Sequence, residues 1–160
     1  CQATTSMLTP GPSPVSHSLC HAGGNSPSEP STSIFLVTLF VASLLPILLA
    51  WIGAAWRVRQ FGHLDNRHPR AQQARLEGVG ARLQAAQSNA WEALIVYAIT
   101  AVVAIGTGVE LESLDVPALV FLTSRLLHPL AYAMNWQWTR SLVFAIGMLA
   151  CLTIMIGALW

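Results

Sequence analysis

Residues 80–97 read GARLQAAQSNAWEALIVY. A polar helix start runs here into a membrane-length apolar stretch and carries Arg82, Asn89 and Glu92 with it. An α-helix advances about 100° per residue, so positions seven apart nearly eclipse and positions three apart are neighbours. The three side chains are therefore expected on one face. Ionisable groups inside a bilayer span are expensive and are functional-site candidates by default. Other parts of the chain must supply whatever meets that stripe.

Composition sets the class. The chain has 160 residues, of which 54% are hydrophobic and 9% charged, and its mean hydropathy is +0.55. Soluble domains carry about 25% charged residues, so this is the composition of a polytopic membrane protein. Net charge is only +1, and there is no lysine. Arg57, Arg59, Arg67, Arg70, Arg75 and Arg82 fall in one short window. No basic patch is interleaved with exposed aromatics, which argues against a nucleic-acid partner. Cys1, Cys20 and Cys151 show no metal spacing such as C-x-x-C. Cys151, inside an expected span, reads as a small buried hydrophobe. A Cys1–Cys20 disulfide stays open if the tail is extracytoplasmic.

Upstream of the quoted stretch, residues 57–80 form a polar connection. Asp65, Asn66, Arg67, His68 and Pro69 read as a turn, because Asp and Asn favour Asx-turns and the residue before proline avoids the helical region. Pro69 is placed to open a short helix through Leu76. His63, Asp65 and His68 read as exposed loop residues rather than a metal cluster. Residues 34–56 form a first span of 23 residues without charge. At about 1.5 Å per residue it crosses roughly 30 Å of hydrocarbon. Pro46 near its middle predicts a kink, and Trp51 and Trp56 read as interfacial anchors. Residues 1–33 are rich in Ser, Thr, Pro and Gly and read as a disordered tail. His17 and His21, four apart, read as ordinary tail residues.

The quoted stretch opens span two, residues 81–106. A short acidic loop with Glu110, Glu112 and Asp115 leads to span three, residues 116–135. Residues 136–139 join it to span four, residues 140–160, where Gly147 and Gly157 permit close helix packing. One membrane domain, residues 34–160, follows: an all-α integral membrane four-helix bundle. The first loop is basic and the second acidic, so the positive-inside rule puts loops one and three in the cytoplasm and both termini outside. The polar half of span two, the end of span three and the start of span four then converge on the cytoplasmic side. Tyr97, in the far half of span two, reads as a packing aromatic, and Trp91 as lipid- or neighbour-facing.

A second polar stripe stands in span three, where Arg125, His128 and Tyr132 lie at i, i+3 and i+7. Arg140 follows at the base of span four. Isolated charges in hydrocarbon are costly, so pairing is expected, Glu92 with Arg125 first. The arginines and the histidine outnumber Glu92. That surplus suits an anionic ligand with carboxylates, which the planar guanidinium binds bidentately. The plain alternative is that these groups satisfy one another and only hold the helices together.

The pattern resembles the MAPEG family, the membrane-associated proteins of eicosanoid and glutathione metabolism. The resemblance rests on the four spans, the basic first loop, A-x-x-N-x-x-E (Ala86, Asn89, Glu92) in span two, R-x-x-H-x-x-x-Y (Arg125, His128, Tyr132) in span three, and Arg140 with Ser141 opening span four. It implies a homotrimer with glutathione bound between subunits near the cytoplasmic side. It implies that Arg82, Asn89, Glu92, Arg125, His128 and Tyr132 contact glutathione, and that Arg140 stabilises its thiolate, the nucleophilic form. The implied activity is a glutathione-dependent transferase or peroxidase acting on lipophilic electrophiles in the bilayer. Ala81, Gln84 and Ala85 depart from eukaryotic members, which carry a glutamate and arginines there. The short, lysine-free chain resembles the bacterial branch, which implies an inner-membrane location. Two other readings stay open. One is a non-catalytic membrane protein whose polar stripes serve assembly; the other is a small-anion or lipid-headgroup binder using the same arginines.

Overall fold

The computed structural model describes residues 33–160. The tail expectations for residues 1–32, among them disorder, the Cys1–Cys20 disulfide and the His17 and His21 reading, lie outside the described residues. Every regular element among the described residues is helical: α1 (Ile34–Phe61), α2 (Pro69–Ala74), α3 (Gly78–Thr107), a 3-10 turn at Leu111–Leu114, α4 (Asp115–Ala133) and α5 (Gln137–Leu159). α1, α3, α4 and α5 are long and apolar enough to cross a membrane, which fits a multi-pass integral membrane protein.

Local chemistry sets the element ends. α1 continues through Pro46 to Phe61, past the expected end at Trp56. Arg57 and Arg59 do not stop it, because arginine is a good helix former and exposed Arg59 carries its charge toward water on a long stem. Gly62 ends the helix at φ 78°, a left-handed conformation that penalises side chains, and its N–H donates to Val58 O at 2.8 Å. The Asx-turn forms as read: Asp65 Oδ1 accepts from the amides of Arg67 at 2.9 Å and His68 at 3.0 Å. The His68 amide, with that of Arg67, holds the Asp65 carboxyl below the usual carboxylate range. Buried Gln72 fastens the loop by donating to His63 O at 2.8 Å and accepting from Asp65 N at 3.1 Å.

α4 ends at Ala133, before the expected boundary. Asn135 adopts φ 59°, and the amides of Asn135 and Trp136 reach back to Tyr132 O at 3.1 Å and Ala131 O at 2.9 Å. This is a Schellman cap with asparagine where glycine is usual. The chain reverses within three residues, so α5 starts at Gln137 rather than Arg140.

At the far end from the first loop, Asp115 Oδ1 accepts from Phe35 N at 2.9 Å and from Ser33 Oγ at 3.2 Å. One carboxylate therefore caps α1 while opening α4, where both helix dipoles favour negative charge. Below it, Tyr97 stacks on Phe121 with centroids 4.4 Å apart, tilts against Phe35 at 5.6 Å, and donates to Phe35 O at 3.0 Å. Tyr97 is thus a packing residue, and Cys151 is buried in the same core. Alanines on α3, α4 and α5 let the helices approach closely. Most of each span faces outward and carries large apolar side chains.

Candidate functional site

At the end opposite Asp115, polar side chains gather between α3, α4 and α5. Arg125 lies at their centre and is only 2% exposed. Nε donates to Ser124 Oγ at 3.2 Å, Nη1 to Asn89 Oδ1 at 3.4 Å, and Nη2 to the backbone oxygens of Val143 at 3.3 Å and Phe144 at 3.4 Å. The rings of Phe121 and Phe144 flank the guanidinium, with centroids 5.5 and 5.7 Å from Cζ. All these partners are neutral. Gly147 makes the arrangement fit: a Cβ there would stand 2.9 Å from Arg125 Cζ and would collide with Nη2 and with Ser124 Oγ. Pro129, inside α4, has no amide to bond the Arg125 carbonyl four residues earlier.

The expected Glu92–Arg125 pair does not form. Glu92 is exposed on the outward side of α3 and makes no ion pair among the described residues. Two causes are visible. The ten residues from Arg82 to Glu92 leave their directions about 80° apart, so the stripe drifts off the contact face. The Arg125 fork, in turn, already meets Asn89 and the α5 backbone. Arg82 and Asn89 face α4, while Glu92 turns outward beside exposed Trp91.

Nearer the α4–α5 joint, buried His128 meets the Tyr132 ring edge-on at 5.0 Å and the Phe144 ring at 6.3 Å. The tight joint brings Arg140 back against α4, with Cζ 4.7 Å from the Tyr132 ring centroid. Arg82 Nη2 donates to Ala133 O at 3.2 Å, at the negative end of the α4 dipole. Arg82 Nε and Gln87 Oε1 are buried without a hydrogen-bond partner among the described residues. Within one chain the structure therefore gathers Arg82, Asn89, Arg125, His128, Tyr132 and Arg140, and leaves Glu92 outside the cluster. Among the described residues none of these guanidiniums makes an ion pair with a carboxylate, but they differ in kind. Arg125 is held at the centre by neutral acceptors, whereas Arg82 and Arg140 are half-buried nearer the surface.

A model of the MAPEG family matches residues 34–160, which include all four spanning helices. The chain belongs to the MAPEG family. No curated protein matches it. Of the motifs that carried the resemblance to MAPEG proteins, the span-three column stays together and the span-two motif divides, with Asn89 inward and Glu92 outward. Ser124, Pro129 and Phe144 were not singled out from the sequence, although each touches or frees a group of Arg125. One signal was present: a small residue directly before a span arginine, and a glycine in the next span able to face it.

Proposed function

We propose that this MAPEG protein is a glutathione-dependent transferase or peroxidase acting on lipophilic electrophiles from the bilayer, with its pocket completed between subunits of a homotrimer. The observation that carries this reading is the cationic surplus beside the α4–α5 joint. Arg82 keeps an unpartnered Nε, Arg140 stacks on the Tyr132 ring, and neither makes an ion pair among the described residues. That donor set fits an anion bearing carboxylates and a thiolate. Glutathione would supply the sulfur nucleophile.

Arg140 is the group assigned to the sulfur, because a neighbouring guanidinium favours thiolate over thiol. The thiol proton leaves to water at the joint. The sulfur then bonds to the electrophilic carbon as a leaving group departs with its electron pair. With a hydroperoxide it takes the terminal oxygen as the O–O bond breaks, the alcohol leaves with a proton from water, and a second glutathione converts the resulting sulfenic acid to the disulfide and water. Arg82 and Asn89 are assigned to the carboxylates and amides of the tripeptide, and His128 and Tyr132 shape the wall beside Arg140. Arg125 acts one step removed, by holding Asn89 and α5 in register. Glu92 is assigned to the ligand's ammonium from a neighbouring subunit, since a carboxylate on the outer face of a span needs a partner. The arginine-rich first loop supports a cytoplasmic position for this end, in a bacterial inner membrane with both termini outside.

A non-catalytic reading draws on one observation, that Arg125 already donates four hydrogen bonds, to Ser124, Asn89 and α5. The two readings separate on the purified protein. Adding glutathione is expected to raise ultraviolet thiolate absorbance, and Arg140→Ala to abolish the rise while keeping the oligomer size. No rise in the native chain, with no calorimetric binding at millimolar glutathione, refutes the catalytic reading. Loss of assembly in Arg140→Ala supports the packing one.

A further inference from the structure

The end of α1 and the first loop carry charge that the site above does not use. Arg57, Arg59, Arg67, Arg70 and Arg75 share this region with only two acids, Asp65 and Glu77. Asp65 is engaged by the Arg67 and His68 amides, and its ion pair, at 3.7 Å, is with His68. None of the five arginines makes an ion pair among the described residues.

Arg75 stacks on a ring, that of Phe61 at 5.5 Å, but the pocket it borders includes His63 and the carboxylate of Asp65, whereas Arg59 borders an apolar groove. Ile52, Ala55, Trp56 and Arg59 stand at i, i+3, i+4 and i+7 on one face of α1 and line a groove of about 240 Å³. One end of the groove is apolar. At the other, the Arg59 guanidinium lies over the Trp56 ring, 5.0 Å from its centroid. Stacking leaves the N–H edges of a guanidinium open to acceptors. The depth also agrees. Residues 34–56 extend ~34 Å along the helix axis, enough to fill the hydrocarbon layer. Trp56 then falls at the interface, and Arg59 about one turn beyond it, at headgroup level.

We propose that this α1 groove is a specific site for an anionic phospholipid of the surrounding bilayer. The acyl chain lies along Ile52 and Ala55, the glycerol region meets Trp56, and the phosphate takes the Arg59 fork. A zwitterionic headgroup brings its own cation to the same place and gains less. The other loop arginines raise the local concentration of anionic lipid but do not form the site. The groove is separate from the Arg82–Arg140 cluster, so it stands whether or not that cluster holds glutathione.

The test loads the full chain, in neutral detergent, with equimolar phosphatidylglycerol and phosphatidylcholine of identical acyl chains, and counts retained lipid by native mass spectrometry. Phosphatidylglycerol is expected to be retained about fivefold over phosphatidylcholine. Arg59→Gln is expected to bring the ratio near one, and Arg67→Gln, off the groove, to leave it close to that of the native chain. Ala55→Trp, which fills the apolar end without touching a charge, is expected to lower phosphatidylglycerol retention. A ratio near one in the native chain overturns the proposal. Equal losses in Arg59→Gln and Arg67→Gln overturn it in favour of diffuse charge. Retention unmoved by Arg59→Gln and Ala55→Trp overturns it too, the outcome expected if a second copy of the chain covered the groove. Displacement of the lipid by an equal amount of inorganic phosphate assigns Arg59 to a free anion and overturns the lipid site.

Discussion

Replacing Gly147 with alanine probes the joint between α4 and α5. The added Cβ would fall against the Arg125 guanidinium and the Ser124 hydroxyl. Both are buried and hydrogen-bonded, so neither can swing away freely. Overpacking of this kind costs about 1–3 kcal/mol. The Nη2 bonds to Val143 and Phe144 would lengthen as well, and interhelical hydrogen bonds in membranes contribute about 0.6 kcal/mol each. Alanine returns up to about 1 kcal/mol through its better helix propensity. The expected net loss is about 1–3 kcal/mol. Thermal unfolding of the purified protein in detergent measures it, with Gly157→Ala as the control. At Gly157 the nearest neighbour of an added Cβ is Leu114 Cδ2 at 3.6 Å, an ordinary contact, so that variant should be neutral or slightly stabilised. Because the clash is with Arg125, Gly147→Ala combined with Arg125→Met should lose less than the sum of the single losses. If Gly147→Ala is as stable as Gly157→Ala, the close approach of α5 to Arg125 is wrong.

Three further outcomes are expected. Asp115→Asn, which removes the charge shared by the α1 and α4 starts, should lower stability by about 1 kcal/mol in the same unfolding assay. Tyr97→Phe keeps the ring stack but removes the hydroxyl that donates to Phe35 O, and should cost about 1 kcal/mol with the oligomer size unchanged. The Asp65 carboxyl is lowered in the folded loop, so its contribution to loop order is fully present above the ordinary value of 3.8 and is lost as pH falls through the lower folded value. Hydrogen exchange at the Arg67 and His68 amides should therefore lose protection, beyond the intrinsic change in exchange rate, only in strong acid, and Asp65→Ala, which removes the acceptor of both amides, should lose it at neutral pH.

The four spans, the short helix after Pro69 and the Asp65 turn were legible because each depends on local chemistry: apolar length, a proline at a helix start, an Asx side chain before free amides. The column of Arg125, His128 and Tyr132 was legible as a shared face. What that face meets was not. Two of the four acceptors that hold Arg125 are backbone carbonyls of α5, and a carbonyl has no residue identity to read. The Glu92 pairing failed for two reasons: ten residues of helix turn Glu92 about 80° from Arg82, which the spacing could have shown, and spacing says nothing of which neighbour stands opposite. Helix ends shifted by a few residues wherever a long arginine stem or an asparagine cap replaced the expected breaker.

Arg125 also bears on biogenesis. The 18-residue apolar stretch of α4 with its preceding turn has a mean hydropathy of 1.2, against 2.5 for the one in α5. Alone in lipid it would expose a guanidinium whose carbonyl partners have not yet been synthesised, since Val143 and Phe144 come later in the chain. Entry into the bilayer is then favourable for the α4–α5 hairpin and unfavourable for α4 by itself. Translation products halted before Val143 should leave α4 poorly inserted, and Arg125→Leu should relieve that dependence. The order in which the ribosome delivers these helices is thereby written into a single side chain.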